Sequence, residues 1–154
     1  MNTQTSCGVT AEQLENFKTI CKAHGLRVTP QRVEIFKMVA QSKEHPNAER
    51  VFEAVRKTMP NVSLDTVYRT LSSLEELGLV FRVGFSSKAR FDADFDEHYH
   101  FVCTQCGEVY DVFPAPGERL EVPPEVEEYG RVHKINLQFS GLCARCQKET
   151  KKDL

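Results

Sequence analysis

Apolar residues recur at helical spacing through the first half of the chain and turn to strand-like alternation after residue 78. Thr10-Ala-Glu-Gln13 has the spacing of a capping box. Behind it Leu14, Phe17, Ile20 and Cys21 share one helical face, and Gly25 ends the run. Thr29-Pro30 sets a cap before a first-turn proline, and Val33, Phe36, Val39 and Ala40 form the apolar side of a second helix. His45-Pro46-Asn47 is a break, with Asn47 capping a third helix over Val51, Phe52 and Val55. After the turn at Met59–Val62, Ser63 caps a fourth helix striped by Leu64, Val67, Leu71, Leu74 and Leu77 and stopped by Gly78. Leu79–Val83 and Ala89–Phe91 are β-prone and flank a turn.

Three helices, a short turn, a helix and a hairpin is the order of a winged helix-turn-helix. In that reading the fourth helix enters the major groove. Its outer side presents Thr66, Arg69 and Ser72, with Tyr68 at the margin. Arg69 can offer a guanine two parallel hydrogen bonds, and Thr66 and Tyr68 can reach phosphate or a thymine methyl. Arg82, Lys88 and Arg90 on the hairpin suit phosphates. A small helical bundle with a solvated polar face has the same periodicity, and the pattern does not separate the two.

Charge adds an asymmetry. Residues 1–90 carry 13 basic and 9 acidic side chains (13 − 9 = +4), while residues 91–154 carry 7 and 13 (7 − 13 = −6). A basic half can face a polyanion and an acidic half can hold cations. No apolar run approaches the ~18 residues of a membrane span. The polar first ten residues lack the apolar core of a secretory signal, so a cytoplasmic location is expected.

The six cysteines divide by context. Cys21 reads as a small core residue, and Cys7 lies in a polar tail. Cys103-Thr-Gln-Cys106 and Cys143-Ala-Arg-Cys146 are two Cys-x-x-Cys pairs separated by 36 residues. Two such turns can close a tetrahedron of four thiolates around Zn²⁺. Gly107 allows the tight turn of a zinc knuckle. Redox chemistry instead needs a Cys-x-x-Cys at a helix N-terminus after a strand. Here the first pair joins two short strands, Tyr99–Val102 and Glu108–Val112. Asp92, His98, His100 and Asp111 bracket that pair. In a strand His98 and His100 project to one face while Tyr99 points away. Two histidines, nearby carboxylates and a zinc knuckle together favour a second metal site over a merely polar strand face.

These residues carry a family resemblance. Gly-Leu-Arg-Val-Thr-Pro-Gln-Arg (25–32), His-Pro-Asn-Ala-Glu-Arg-Val-Phe (45–52) and Ser-Leu-Asp-Thr-Val-Tyr-Arg-Thr-Leu (63–71) belong to it. So do Arg-Phe-Asp (90–92), His-Tyr-His-Phe-Val-Cys-Thr-Gln-Cys-Gly (98–107) and Gly-Leu-Cys-Ala-Arg-Cys (141–146). Over nearly its whole length the chain resembles the ferric uptake regulator family of bacterial metal-dependent repressors. The resemblance implies an α+β chain: a winged-helix DNA-binding domain over 1–90 and a small α/β metal-binding dimerisation domain over 91–154, with a hinge near 84–92. It implies structural Zn²⁺ on Cys103, Cys106, Cys143 and Cys146. It implies a regulatory Fe²⁺ or Mn²⁺ on His45, Asp92, His98, His100 and Asp111, and a homodimer on double-stranded operator DNA. His45 enters through the resemblance alone, since a histidine before proline otherwise reads as a loop residue.

Asp92 and Asp111 resemble the family's peroxide-regulator branch, where iron-sensing members usually carry glutamate at one or both places. That branch implies iron-catalysed oxidation of His45 or His98 by hydrogen peroxide and loss of metal and DNA. Arg69 instead resembles the iron-sensing branch. Glu97, Tyr99 and Ile135 stand where many iron sensors keep a third metal site, so none is expected. The rivals are an Fe²⁺- or Mn²⁺-responsive repressor without peroxide chemistry, a cytosolic Cys-x-x-Cys thiol oxidoreductase, and a zinc-ribbon interaction module without a DNA role. The expected class is a regulator and not an enzyme.

Overall fold

The computed structural model describes residues 8–84, 89–94, 96–132 and 135–152. The chain divides into two compact units, Met1–Asp94 and Phe95–Leu154.

In the first unit the caps set the helices. Helix α1 (Ala11–Ala23) starts on the expected box: the Thr10 hydroxyl accepts from the Gln13 amide at 3.1 Å, and the Gln13 side chain accepts from the Thr10 amide at 2.9 Å. Thr29, Asn47 and Ser63 accept in the same way at the starts of α2 (Pro30–Gln41), α3 (Ala48–Val55) and α4 (Leu64–Glu76). Helix α4 ends in a Schellman turn. Gly78, at φ 70°, donates to the Glu75 carbonyl at 2.9 Å, and Leu79 donates to the Leu74 carbonyl at 2.8 Å. Leu74 and Leu79, which flank that turn, are both fully buried. The core runs through Phe17, Ile35, Phe36, Val39, Val51, Val55, Val67 and Leu71, with the Phe17 and Phe36 rings stacked at 4.7 Å. Cys21 lies in this core, as expected for a small hydrophobe.

The hairpin follows. Strand β1 (Phe81–Val83) pairs antiparallel with β2 (Arg90–Asp92). Leu79 and Val80 are buried core residues ahead of the strand and not part of it. The Phe91 amide donates to the Pro46 carbonyl at 3.0 Å, which ties β2 to the segment before α3.

The second unit is a three-stranded sheet in the order β4-β3-β5. Strand β3 (Tyr99–Cys103) is central, β4 (Val109–Val112) runs antiparallel to it, and β5 (Gln138–Gly141) runs parallel. Helix α5 (Pro124–Glu127) has only four residues. Helix α6 (Ala144–Lys152) carries Cys146 in its first turn. Apart from Tyr99, Val102 and Val109, the buried hydrophobic side chains among the described residues here are cysteines. So small an apolar core needs a staple.

Candidate metal centres and nucleic-acid face

The sheet builds the cysteine cluster. Cys103 ends β3, Cys106 follows three residues later, Cys143 comes just after β5, and Cys146 sits one helical turn on. Gly107 takes φ 74° and donates to the Cys103 carbonyl at 2.9 Å, which closes the knuckle. The four sulfurs lie within 4.8 Å of one another, and Cys106 Sγ is 3.9 Å from Cys143 Sγ. Ligands about 2.3 Å from a tetrahedral Zn²⁺ lie about 3.8 Å apart. The donor set therefore fits a thiophilic tetrahedral ion.

Backbone amides prepare the thiolates. The amides of Cys106 and Cys143 donate to Cys103 and hold its thiol down to about 6. The Cys143 amide is 3.3 Å from the Cys103 sulfur. Cys143 is lowered in turn, first by the Cys146 amide. Burial pushes Cys146 up to about 12. Arg145 reaches Cys106, which raises the guanidinium's pKa and places a positive charge beside the thiols.

The second unit also aligns His98, His100 and Asp111. His100 and Asp111 are cross-strand partners on β3 and β4, and His98 immediately precedes β3. His98 Nε2 is 3.1 Å from His100 Nε2, and both lie close to Asp111 Oδ1, at 3.6 and 3.5 Å. A point about 2.0 Å from all three atoms exists within that triangle, the bond length of a first-row divalent ion to nitrogen or oxygen. Two imidazoles and one carboxylate on one face suit non-haem iron with open positions. The His98 Nδ1 is 2.6 Å from the Asp96 carbonyl, so Nδ1 carries the proton and Nε2 keeps its lone pair. Phe113 packs on the same ring, centroids 5.4 Å apart. His133 lies outside the described residues, and exposed His24 caps the end of α1.

The first unit pairs His45 with Asp92. Both are buried, and His45 Nε2 is 3.5 Å from Asp92 Oδ2. The Asp94 amide donates to the other Asp92 oxygen at 2.8 Å. His45 is also the one non-glycine among the described residues with positive φ, at 51°. Such strain at a buried side chain beside a carboxylate is of the kind that gathers at functional positions. Residue periodicity missed it, because neither burial nor φ at a pre-proline position shows in the pattern.

The expected DNA-facing side chains lie on α4 and β1 of the first unit. Tyr68, Arg69 and Ser72 are exposed and Thr66 half-buried, its hydroxyl 2.8 Å from that of Ser63. The Tyr68 hydroxyl donates to Glu49 at 2.6 Å, and Arg69 Nε lies 2.9 Å from Asp65. Arg82 pairs with Glu75 and spreads over the Phe91 ring at 5.3 Å. Arg90 donates to the Glu44 carbonyl at 3.2 Å. Lys88 lies outside the described residues.

The sequence model of the Ferric uptake regulator family matches residues 23–139. The chain belongs to the ferric uptake regulator family. As a member it is a metal-responsive repressor. The peroxide-responsive repressor PerR of Staphylococcus saprophyticus is 34% identical over 137 residues, spanning 88% of this chain and 92% of the relative. Two solved structures share the fold. The Campylobacter jejuni peroxide stress regulator is 28% identical with a TM-score of 0.59, covering 90% of this family member and 100% of that chain. The Pseudomonas aeruginosa ferric uptake regulator with manganese is 30% identical with a TM-score of 0.62, covering 82% and 97%.

Proposed function

We propose that this family member is a homodimeric repressor that binds operator DNA while metal-loaded and lets go when hydrogen peroxide oxidises it. Its regulatory Fe²⁺ or Mn²⁺ is held by His45, Asp92, His98, His100 and Asp111, and its structural Zn²⁺ by Cys103, Cys106, Cys143 and Cys146. Thr66, Tyr68, Arg69, Ser72, Arg82 and Lys88 face double-stranded DNA. The observation that carries the regulatory site is the triangle of His98 Nε2, His100 Nε2 and Asp111 Oδ1, three donors with room for more. The buried His45–Asp92 pair supplies the two remaining donors in this reading. Exposed Leu120, Val126 and Phe139 in the second unit support a surface that a second copy covers.

Bound Fe²⁺ would supply redox activation of hydrogen peroxide beside the imidazoles; the net change would be a two-electron oxidation of His45 or His98 in which one peroxide oxygen is added to the ring and the other leaves as water. The protein's share is placement. The Asp96 carbonyl fixes the His98 tautomer, and the short side chain of Asp111 keeps its carboxylate close to β4. An oxidised imidazole is a poorer donor, and a shell that draws on both units then no longer fixes the spacing of the recognition helices.

Arg69 favours a second reading, a repressor responding to Fe²⁺ or Mn²⁺ without peroxide chemistry. One experiment separates the two: treat the Fe²⁺ and Mn²⁺ forms with peroxide, measure DNA binding, and weigh the peptides. Peroxide sensing requires loss of DNA in the Fe²⁺ form alone, with one added oxygen on a peptide containing His45 or His98. Equal loss in both forms, with intact histidines and oxidised cysteines, would overturn it.

A further inference from the structure

Three donors of the proposed DNA face are held by carboxylates of their own unit. The Tyr68 hydroxyl has one proton, and it is spent on Glu49 Oε1 at 2.6 Å. Arg69 Nε lies 2.9 Å from Asp65, one turn back on α4. Arg82 Nε donates to both oxygens of Glu75 at 3.3 and 3.2 Å, and one terminal nitrogen donates to Oε2 at 3.1 Å, which commits that edge of the guanidinium. Phosphate oxygens and the acceptor edge of guanine ask for those same hydrogen bonds. The pairing between Tyr68 and Glu49 also lowers the carboxyl's pKa and raises the phenol's. Glu49 and Asp65 are exposed, so each pair stands where an approaching duplex meets it.

We infer that Glu49, Asp65 and Glu75 are counter-charges that duplex DNA must displace, and that they set how weakly one winged helix holds DNA on its own. The inference rests on the DNA-face reading above. A repressor switched by the arrangement of two domains needs each half-site contact to be weak alone. Two properly spaced contacts multiply, whereas one contact must not suffice. The carboxylates supply that weakness without removing the side chains that read DNA.

The test uses the full-length, Mn²⁺-loaded protein and a fluorescent mixed-sequence duplex of about 30 base pairs across a salt series. The variants are Glu49→Gln, Asp65→Asn and Glu75→Gln, singly and together. Each is expected to tighten binding about two- to five-fold per domain engaged, the range an exposed pair spans. Glu75→Gln should steepen the logarithmic salt slope by about 0.9 as Arg82 passes to a phosphate, and Asp65→Asn should change it less, because Arg69 is assigned to a base edge. Glu49→Gln should leave the slope nearly unchanged, because Tyr68 is neutral, and its gain should vanish in a Tyr68→Phe background. Asp65→Asn removes a favourable charge from the first turn of α4, whereas Glu75→Gln lies near its end and keeps the test independent of folding. Variants that bind no tighter, while the parent binds, would show that the carboxylates place the donors for DNA, and would overturn the inference. A parent that binds no duplex at any salt would overturn the DNA-face reading itself.

Discussion

His45 offers a perturbation whose two halves can be separated. Its backbone sits at φ 51°, and its imidazole is buried against Asp92. His45→Ala removes the imidazole and keeps a Cβ in the left-handed region. His45→Gly removes both. For an L-residue that conformation costs about 1–2 kcal/mol. Against this, glycine loosens the unfolded chain by about 0.4–1 kcal/mol relative to alanine. The difference leaves the Gly variant more stable than the Ala variant by about 0.5–1 kcal/mol, the reverse of their order in a helix. For a unit the size of residues 1–94, that is about 2–8 °C in melting temperature. The assay is thermal melting followed by circular dichroism, which the four helices of this unit dominate. Without added Fe²⁺ or Mn²⁺, Gly should melt above Ala. With Mn²⁺ at about 100 times its dissociation constant the parent should gain about 2.7 kcal/mol, and neither variant should gain comparably. An Ala variant as stable as the Gly variant would refute the strain argument. A full Mn²⁺ gain in either variant would refute His45 as a ligand.

Other sites make further predictions. Cys106→Ser should give a chain that retains no tight zinc by elemental analysis and whose second unit melts without cooperativity, since metal binding there is folding energy. A zinc-free variant that melts as the parent does would contradict this. Arg69→Ala should weaken binding to a selected operator by about 1–3 kcal/mol and relax preference at one base pair, read by competition with substituted duplexes. Asp111→Glu should keep metal-dependent DNA binding while suppressing added oxygen on the histidine peptides, read by mass spectrometry. Burial pushes the Cys21 thiol above its ordinary value, so its contribution to stability is complete below the unfolded thiol pKa and erodes as pH rises beyond it. Its alkylation by iodoacetamide should therefore track global unfolding; fast labelling of the native protein would count against the buried placement.

The first unit was legible because its signals are local. Thr10, Thr29, Asn47 and Ser63 each sit beside the helix they cap, and the stripe from Leu64 to Leu77 names core residues Val67, Leu71 and Leu74, with Leu64 and Leu77 half-buried at its two ends. The cysteine cluster was legible because spacing encodes ligand geometry. Strand β5 was not: Gln138, Phe139 and Ser140 are all exposed, so no alternation marks them, and their parallel pairing with β3 joins residues nearly forty positions apart. The hold of Asp96 on His98 was equally hidden, because a backbone carbonyl leaves no trace in composition. The pairing of three proposed DNA-facing donors with carboxylates could be read in part at Arg69, four residues after Asp65, but not at Tyr68, whose partner Glu49 lies on another helix.

The two proposed metal sites would divide the work by where their donors come from. All four cysteines belong to residues 95–154, so an ion bound there stabilises that unit whatever the rest of the chain does. Its free energy goes into folding. The proposed regulatory shell draws His45 and Asp92 from residues 1–94 and His98, His100 and Asp111 from residues 95–154. Three donors alone bind an ion weakly and in any domain arrangement. Five bind it tightly in one arrangement only, and the difference between three and five is the energy available to bias that arrangement. A switch of this kind needs the second group of donors to be ready but not sufficient. The strained, buried His45 beside a carboxylate meets the first condition. In the proposed switch, losing one imidazole to oxidation would remove the bias without unfolding the second unit, because the cysteine cluster shares no ligand with the regulatory shell.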